Sequence, residues 1–330
     1  MRETDYLGAD RLSALGDTAV LVVDACRWRK PIAPVQAIVI GIDREGTLPA
    51  IDEQAFDVLL TVCNGAPRPW LSLEPENFDK NVAKISAAAE ANPIAATIGA
   101  QILRLASGLN LRDALQVESL AYSTLLGGTE FRRWQDTTKR GAPIAVSADP
   151  VVFLRDGNQI TLKLNNPQNR NAMSATMRDA LYEALANILD DPTKPEVILT
   201  GEGKCFSTGG SLPEFGTAHD LAAAHVTRSL HSCATALDAL GDRAAVRFHG
   251  ACIGSGIEIG AAAYRRIATP EAWFQLPELD MGLIPGAGGT ATIARAIGRH
   301  RTMWMFLSGK RIGASQALEW GLVHVIENQR

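Results

Sequence analysis

The sequence has few of the features that mark secreted, membrane or metal-binding proteins. Its 330 residues include only five cysteines, an odd number with no C-x-x-C spacing, so the sequence indicates neither a disulfide framework nor a zinc site. It has no run of about eighteen apolar residues, and the first residues lack the charged-then-apolar order of a signal peptide. We therefore expect a soluble cytoplasmic protein with reduced thiols and no metal site.

Charge of one sign is also scarce. Lysine and arginine total 32 against 36 aspartate and glutamate residues, a formal net charge of −4. This balance gives no reason to expect a nucleic-acid or membrane partner. What is abundant is apolar content: 46% of residues are hydrophobic and 21% are charged, a composition typical of a well-packed globular protein.

The sequence pattern of the first half changes near residue 77, from short apolar runs to helical spacing. Short apolar runs at 19–23, 37–40 and 56–60 predict strands of a buried sheet. Residues 77–126 are rich in alanine and leucine at helical spacing, and Asn92-Pro93 predicts the end of one helix and the start of the next. A last helix is predicted at 129–138, followed by a linker at 139–143. We divide the chain into an α/β half-module at 1–76, a helical module at 77–145 and a core at 146–330.

The second half alternates strand and helix patterns. A hairpin is predicted from strands at 151–155 and 159–164 joined by the turn Asp156-Gly157-Asn158. A helix, a strand at 197–199 and a second helix follow, the second carrying apolar residues at 226, 230, 233, 237 and 240. This alternation predicts an α/β fold with mainly parallel sheets.

Two glutamates stand out between residues 248 and 290. Glu258 follows a glycine-rich turn and lies among isoleucine and alanine residues, where a carboxylate is costly unless a partner or ligand satisfies it. Glu278 comes twenty residues later and precedes a loop rich in glycine. Both follow short strands, so we expect the two carboxylates to converge on one cleft.

Four blocks of sequence carry a family resemblance: LNNPQNRNAM at 164–173, GEGKCFSTGGSLPEF at 201–215, HGACIGSGIEI at 249–259 and PELDMGLIPGAGGT at 277–290. In this order and spacing they resemble the crotonase superfamily, the enoyl-CoA hydratase/isomerase family, over about residues 151–326. The resemblance implies a crotonase-like ββα spiral with mainly parallel sheets, to which this chain adds a helical module.

The resemblance also implies a site. The backbone amides of Gly210 and Ser255 would stabilise negative charge on a thioester oxygen, Glu258 would orient and deprotonate water, and Glu278 would deliver a proton to the α-carbon. Coenzyme A would enter as part of the substrate, with no separate cofactor. The residues expected near it are Gln168, Asn169, Arg170, Asn171, Phe206, Thr208, Gly209 and Ser211.

The expected activity is syn-hydration of a 2-enoyl-CoA thioester by an enzyme that acts as a homo-oligomer, a trimer or a dimer of trimers. Other activities of the same fold stay open: an enoyl-CoA isomerase, a thioester or C–C hydrolase, or a cofactor-free aryl-acyl-CoA oxygenase. Outside catalysis, the chain could be an acyl-CoA-binding subunit.

The chain departs from the family pattern next to the first oxyanion loop. Ser211 stands where an aspartate is typical, and Pro213 where a lysine often meets the coenzyme A phosphates. Arg170, or Arg132 and Arg133 of the helical module, could anchor the coenzyme instead.

Structural alternatives accompany the site residues. Glu258 could be a paired core carboxylate and Glu278 a helix-capping or surface acid. Ser211 fits the N-cap of a capping box with Glu214, and we expect His249 to pack beneath the loop. Trp273 and Phe274 suit the core, or the floor of an acyl pocket.

The first half resembles parts of the same family. Segments 92–96, 114–118 and 128–131 resemble the family's carboxy-terminal helices, which this chain lacks after residue 326, and segment 55–61 resembles segment 263–269. We hypothesise that residues 1–145 are a degenerate crotonase-like module whose helices serve the second half as a lid or oligomer contact.

Overall fold

The first sheet is four-stranded and wholly parallel in a computed structural model that describes residues 10–29, 35–142, 144 and 147–328. Its strands, in spatial order, are β1 (Val20–Asp24), β2 (Ile38–Asp43), β3 (Val58–Thr61) and β4 (Leu71–Ser72). All three strands predicted here are confirmed. Alternate residues face opposite sides, so Ile40 and Leu60 join the main core whereas Val39 and Leu59 join a smaller cluster on the other face.

Four helices follow: α1 (Phe78–Ala91), α2 (Pro93–Ala106), α3 (Leu111–Leu126) and α4 (Thr129–Thr137). The predicted break at Asn92-Pro93 is confirmed. The buried Glu130 carboxylate accepts hydrogen bonds of 2.9 Å from each of the Ile94 and Ala95 amides. These free amides at the start of α2 would otherwise lack acceptors, so α4 is attached to α2 by a charge-assisted cap.

The second half contains a six-stranded sheet with the order β13-β10-β8-β7-β6-β5. Its strands are β5 (Val151–Asp156), β6 (Gln159–Leu164), β7 (Glu196–Gly201), β8 (Ala244–Phe248), β10 (Arg265–Ala268) and β13 (Val325–Ile326). Only the β5–β6 hairpin is antiparallel. The predicted hairpin and the mainly parallel sheet are both confirmed.

The second half also contains a three-stranded sheet, with β11 (Trp273–Gln275) between β9 (Ala251–Ile253) and β12 (Ile312–Gly313). The helices of this half are α5 (Ala175–Asp190), α6 (Leu221–Leu230), α7 (Cys233–Ala239), α8 (Ser255–Gly260), α9 (Gly289–Ile297), α10 (Arg299–Ser308) and α11 (Ala314–Trp320). None of the helices in the described part of the chain has the length and apolar content to cross a membrane. All five cysteines are free.

The single helix predicted over residues 226–240 is wrong. The chain forms α6 and α7 instead, and the Ser232 side chain caps α7 by accepting a 3.2 Å hydrogen bond from the Thr235 amide. Val226 and Leu230 are 52% and 63% exposed, whereas Cys233 and Leu237 are buried. The apolar spacing continued across the break, but the N-cap serine ended the helical register.

One hydrophobic core runs through both halves and includes residues of the first sheet, of α1–α3 and of the six-stranded sheet. Polar contacts also join the halves: Arg299 Nη1 donates to the Phe56 carbonyl at 2.8 Å, and Arg301 Nη2 donates to the Ala66 carbonyl at 3.2 Å. The helices therefore pack directly on the second half of the same chain. The proposed division at residues 76 and 145 stays a prediction, as does the degenerate-module hypothesis.

Candidate active site

A cavity of about 740 Å³ opens between the segment that contains helices α1–α4, called the helical segment below, and the second half. It is lined by α3, α5, α6 and α7, by the loop at 210–218, and by the predicted catalytic residues Glu258 and Glu278. Gly210 and Ser255 line the same cavity. The structure thus brings the four predicted catalytic positions together.

Glu258 is 2% exposed and lies in the short helix α8. Its Oε2 accepts hydrogen bonds from the amides of Ala287 at 2.7 Å and Gly289 at 3.0 Å. Burial raises the pKa of Glu258 to about 7, while these backbone donors act in the opposite direction. The two bonds fix the carboxylate's orientation, which makes Glu258 a paired core carboxylate and a cavity residue at once.

Glu278 begins a 3₁₀ helix, Glu278–Met281, shortly after β11. The residue is 7% exposed, and its buried Oε2 has no hydrogen-bond partner among the described residues. Burial, and next the neighbouring Glu258 carboxylate, raise its pKa well above the ordinary value. A surface or capping role is excluded by this environment, and the protonated form is favoured.

Gly254 separates the two carboxylates. Its φ of +48° suits glycine, and a methyl group added there would lie 2.6 Å from Glu278 Oε1 and 3.7 Å from Glu258 Oε1. The two acids therefore flank a single point on the cavity wall. Only the missing side chain at Gly254 leaves room for both.

The amides of Gly210 and Ser255 are available to a ligand. Neither donates a hydrogen bond to another of the described residues. The loop that carries Gly210 is held on both sides, because the Met173 amide donates to the Gly209 carbonyl at 2.7 Å and the Ser211 amide donates to the Met173 carbonyl at 3.1 Å. Two preorganised donors next to two buried acids can stabilise an oxyanion and move protons.

Glu118 is a third buried carboxylate at this site, and the sequence analysis did not select it. It is 2% exposed and accepts hydrogen bonds from the Gly288 amide at 2.7 Å, the Thr290 amide at 2.8 Å and the Thr290 hydroxyl at 2.6 Å. Burial, and then Glu258, raise its pKa to about 8. A signal existed, since Glu118 falls on the stripe that also carries Leu111 and Leu115.

Two further residues were missed, Tyr122 on α3 and Arg228 on α6, both of which line the cavity. Burial raises the pKa of the Tyr122 phenol above its ordinary value. The Arg228 guanidinium lies 5.0 Å from the centre of the Tyr122 ring. No family block contains either residue, and their proximity depends on packing between segments about a hundred residues apart.

Among the eight residues expected near coenzyme A, Ser211 lines the cavity and the other seven do not. Gln168 and Arg170 are exposed, whereas Asn171 and Phe206 are fully buried. Phe206 packs edge-on against Phe248. A coenzyme contact for these residues stays a prediction. Asn171 and Phe206 are buried beneath the cavity wall and do not line the cavity.

Asn171 holds the first oxyanion loop in place. Its Nδ2 lies 2.9–3.1 Å from the carbonyls of Glu202, Cys205 and Phe206, and its Oδ1 accepts a 2.8 Å bond from the Asn166 amide. Thr208, at the far end of the loop, donates its amide to the Arg170 carbonyl at 3.1 Å. The turn at 167–171 therefore supports the backbone of the loop through the Asn171 side chain and the Arg170 carbonyl.

The capping-box prediction for Ser211 is wrong, because the hydrogen bonds of a capping box do not form. Ser211 does precede a 3₁₀ helix, Leu212–Glu214, but its side chain makes no capping bond. The Glu214 carboxylate instead accepts a 2.8 Å bond from the Ala175 amide at the start of α5. A single 3₁₀ turn with Pro213 does not present the amides that a capping box needs.

The remaining local predictions concern His249, the aromatic pair Trp273 and Phe274, and the alternative coenzyme anchors. His249 is buried beneath the loop as expected, 3.1 Å from the Gly203 carbonyl. Phe274 is a core residue, and neither it nor Trp273 lines the cavity. Arg132 and Arg133, the alternative anchors, also lie outside the cavity lining. In the described segments, no three His, Cys, Asp or Glu side chains are grouped so as to hold a metal ion.

Known proteins match the second half of the chain. The family model described as enoyl-CoA hydratase/isomerase matches residues 156–329. The putative enoyl-CoA hydratase/isomerase YngF of Bacillus subtilis is 34% identical over 177 residues, which are 53% of this chain and 68% of that protein. The fatty acid oxidation complex subunit alpha of Shewanella sp. (strain W3-18-1) is 31% identical over 53% of this chain, but the match covers only 26% of that protein.

Solved structures give the same result. An enoyl-CoA hydratase from Thermoplasma volcanium GSS1 superimposes with a TM-score of 0.51 at 27% identity, over 55% of this chain and 73% of that one. An enoyl-CoA hydratase/carnithine racemase from Magnetospirillum magneticum has a TM-score of 0.51 at 26% identity, over 56% and 70% of the two chains. With a crotonase fold and a family match across more than half its length, this chain belongs to the enoyl-CoA hydratase/isomerase family.

Proposed function

We propose that the protein adds water across the double bond of a 2-enoyl-CoA thioester. The water oxygen bonds to C3 and a proton is delivered to C2 on the same face of the double bond. The observation that carries this proposal is the arrangement around Gly254: two buried carboxyl groups flank it, in a cavity that also contains two amides without acceptors among the described residues. Hydration needs these four groups together.

The amides of Gly210 and Ser255 are the proposed oxyanion donors. Addition at C3 moves negative charge onto the thioester oxygen, and a preorganised backbone donor stabilises such charge by about 3–4 kcal/mol. Ser255 is the first residue of α8 and lines the cavity, while Gly210 is held by its neighbours' bonds to Met173.

The two acids have different environments, which supports different roles. Glu258 is held by two amide donors on Oε2, which favours its ionised form relative to Glu278 and leaves Oε1 for water. Glu278 has an unpartnered oxygen and a strongly raised pKa, so it carries the proton. Glu258 then takes a proton from water as Glu278 gives one to C2.

The coenzyme is proposed to arrive only as part of the substrate. The relatives named above are hydratases, isomerases or subunits of an oxidation complex, and the shared thioester chemistry supports the substrate class. Cytoplasmic location and assembly into a homo-oligomer belong to the same proposal.

The test follows loss of the conjugated thioester's absorbance when purified protein is mixed with enoyl-CoAs of different chain lengths, including an aryl one. We expect turnover in the unmodified protein and a loss of at least about a hundredfold in Glu258→Gln and in Glu278→Gln. Asp280→Asn is the matched control, because Asp280 is exposed in the same 3₁₀ helix as Glu278.

Other outcomes would assign another activity. Migration of the double bond without hydration indicates an isomerase, release of free coenzyme A or cleavage of a carbon–carbon bond a hydrolase, and oxygen consumption with an aryl-acyl thioester an oxygenase. Binding without any turnover would indicate an acyl-CoA-binding subunit and would contradict hydration.

A further inference from the structure

Among the described residues, the hydrogen-bond acceptors of Arg228 are all neutral. Its Nε donates to Ser119 Oγ at 3.1 Å, and its Nη2 donates to the Ser119 carbonyl at 3.2 Å and to the Ser123 hydroxyl. The aromatic face of Tyr122 lies beneath the guanidinium. Within the described residues, no carboxylate comes within ion-pair distance of this side chain.

This environment differs from that of the other basic groups on the cavity wall. Arg178 is paired with Asp179 at 2.8 Å, and His231 contacts the same carboxylate at 2.9 Å. Arg112 has no carboxylate within ion-pair distance among the described residues either, but its side chain is exposed to solvent. Arg228 is partly buried and keeps its charge at every physiological pH, and the buried Glu118 carboxyl acts on it only from beyond ion-pair distance.

The position of Tyr122 relates this charge to the reacting groups. The Tyr122 ring contacts Arg228 and also packs against Gly286, where an added methyl group would meet the ring at 2.4 Å. Gly286 is directly followed by the amides that hold Glu258. Arg228 and the catalytic loop therefore both contact one aromatic ring.

The cavity wall near Arg228 is mixed in character. The side chains of Gln116, Ser119 and Thr227 line it together with the apolar side chains of Leu115 and Leu126. Apolar residues can contact the methylenes of an acyl chain, whereas hydroxyl and amide groups suit a polar group at the end of that chain.

We propose that the acyl group of the substrate ends in a carboxylate and that Arg228 binds it. The inference rests on the proposed thioester substrate and adds the class of its acyl group: a 2-enoyl thioester derived from a dicarboxylic acid. The distal carboxylate pairs with the guanidinium and accepts from Nη1, which donates to none of the described residues. Tyr122 holds the guanidinium by stacking beneath it.

An anionic group could also come from the phosphates of coenzyme A, so the experiment separates the two sources. The measured quantity is the ratio of kcat/KM for hex-2-enedioyl-CoA to that for hex-2-enoyl-CoA, two thioesters that differ in a terminal carboxylate against a methyl group. The same ratio is measured with the corresponding pantetheine thioesters, which carry no phosphate. The eight-carbon pair is included to allow for a different reach.

We expect the unmodified protein to prefer the dicarboxylic thioester by about tenfold or more, in both the coenzyme A and the pantetheine series. Arg228→Met should abolish the preference and Arg228→Lys should keep part of it. Arg112→Met is the matched control, because it removes an exposed arginine of the same cavity and should leave the ratio as it is.

A ratio that is the same in the unmodified protein and in Arg228→Met, at both chain lengths, overturns the proposal. So does an effect of Arg228→Met that appears only in the coenzyme A series, which would assign Arg228 to the phosphates. If no thioester is hydrated, the proposed activity fails separately. Dissociation constants for adipyl-CoA and hexanoyl-CoA then decide the acyl-group proposal by the same ratio.

Discussion

Glu118 and Glu258 bind alternate amides of one loop. Glu258 accepts from residues 287 and 289, and Glu118 accepts from residues 288 and 290. Four consecutive amides at the start of α9 are thereby divided between a carboxylate of the second half and a carboxylate of α3. Because helix N-termini favour negative charge, these amides partly offset the burial that raises the pKa values of both acids. The helical segment therefore helps to position the proposed base.

The first prediction is that Glu118→Gln slows hydration without contacting the substrate. An amide presents one acceptor oxygen where the carboxylate presents two, so part of the loop loses its partner, and displacement of a catalytic group commonly costs about tenfold to a hundredfold. With a pKa of about 8 against about 7 for Glu258, Glu118 is largely protonated where Glu258 ionises, so its replacement removes little charge there. The acid limb of the kcat/KM profile, measured between pH 5 and 9, should stay in place while kcat falls.

Glu130→Gln is the control for that loss of kcat. Glu130 is also a buried carboxylate of the helical segment that accepts hydrogen bonds from two backbone amides, but those belong to Ile94 and Ala95. Its replacement should reduce stability and leave kcat nearly unchanged. A kcat for Glu118→Gln as high as that of Glu130→Gln would contradict the positioning role of Glu118.

The second prediction concerns the space between the acids. Gly254→Ala places a methyl group 2.6 Å from Glu278 Oε1, so the carboxyl group must move, and we expect at least a hundredfold loss of kcat, in keeping with about 1 Å of misplacement. Gly157→Ala is the control: Gly157 also has a positive φ, +57°, but nothing lies within 4 Å of the added atom. Both variants place alanine at a positive φ, but the strain is larger at Gly254, whose ψ of −125° lies outside the left-handed helical region, so denaturant unfolding measures this effect separately for each variant. Equal activity in the two would contradict the role assigned to this gap.

Much of the fold was accessible from the sequence because its signals are local. The turn Asp156-Gly157-Asn158 fixed the hairpin, and Asn92-Pro93 fixed the boundary between α1 and α2. The prediction failed over 226–240, where apolar spacing continued through the N-cap at Ser232. Periodicity reports which residues are apolar, whereas a cap reports where the backbone leaves the helix, and here the cap decided the structure.

The site was partly accessible for a related reason. Glu258 and Glu278 lie in blocks of characteristic sequence, so their convergence could be predicted. Glu118 and Arg228 could not be placed, because their contacts join segments separated by 170 and about 105–109 residues. Only tertiary packing brings such side chains to one cavity. Asn171 was selected by resemblance, but packing directs its side chain into the loop instead of the cavity.

The third prediction follows from that position of Asn171. Asn171→Gly removes the side chain without adding strain at its φ of +52°, and we expect a loss of about 1–3 kcal/mol in the free energy of unfolding, because three carbonyls and one amide lose a partner. Asn171→Asp should cost more, since it directs a carboxylate at carbonyl oxygens. Asn169→Gly, next to the same turn, is the control. A change in KM with unaltered stability would instead support direct contact with coenzyme A.

The last prediction is that this site makes the protein less stable as pH rises. The pKa values of Glu258 and Glu278 are raised in the folded state, so the folded protein holds more protons than the unfolded chain above about pH 4.5. Stability that depends on those protons is present at low pH and is lost as pH rises through the folded pKa values, near 7 for Glu258 and higher for Glu278. The free energy of unfolding should therefore fall between pH 5.5 and 8.5.

Glu278→Gln tests the origin of this slope, because glutamine carries no charge at any pH. At pH 8.5 we expect the variant to be more stable than the unmodified protein by about 1 kcal/mol or more, one pKa unit corresponding to about 1.4 kcal/mol, while its activity is lost. The same comparison at pH 5.5, where Glu278 is already protonated, should show little difference. Asp280→Asn, changed at an exposed carboxylate nearby, should show no such pH-dependent gain. If Glu278→Gln were no more stable at pH 8.5 than at pH 5.5 relative to the unmodified protein, Glu278 would not be the protonated acid of this site.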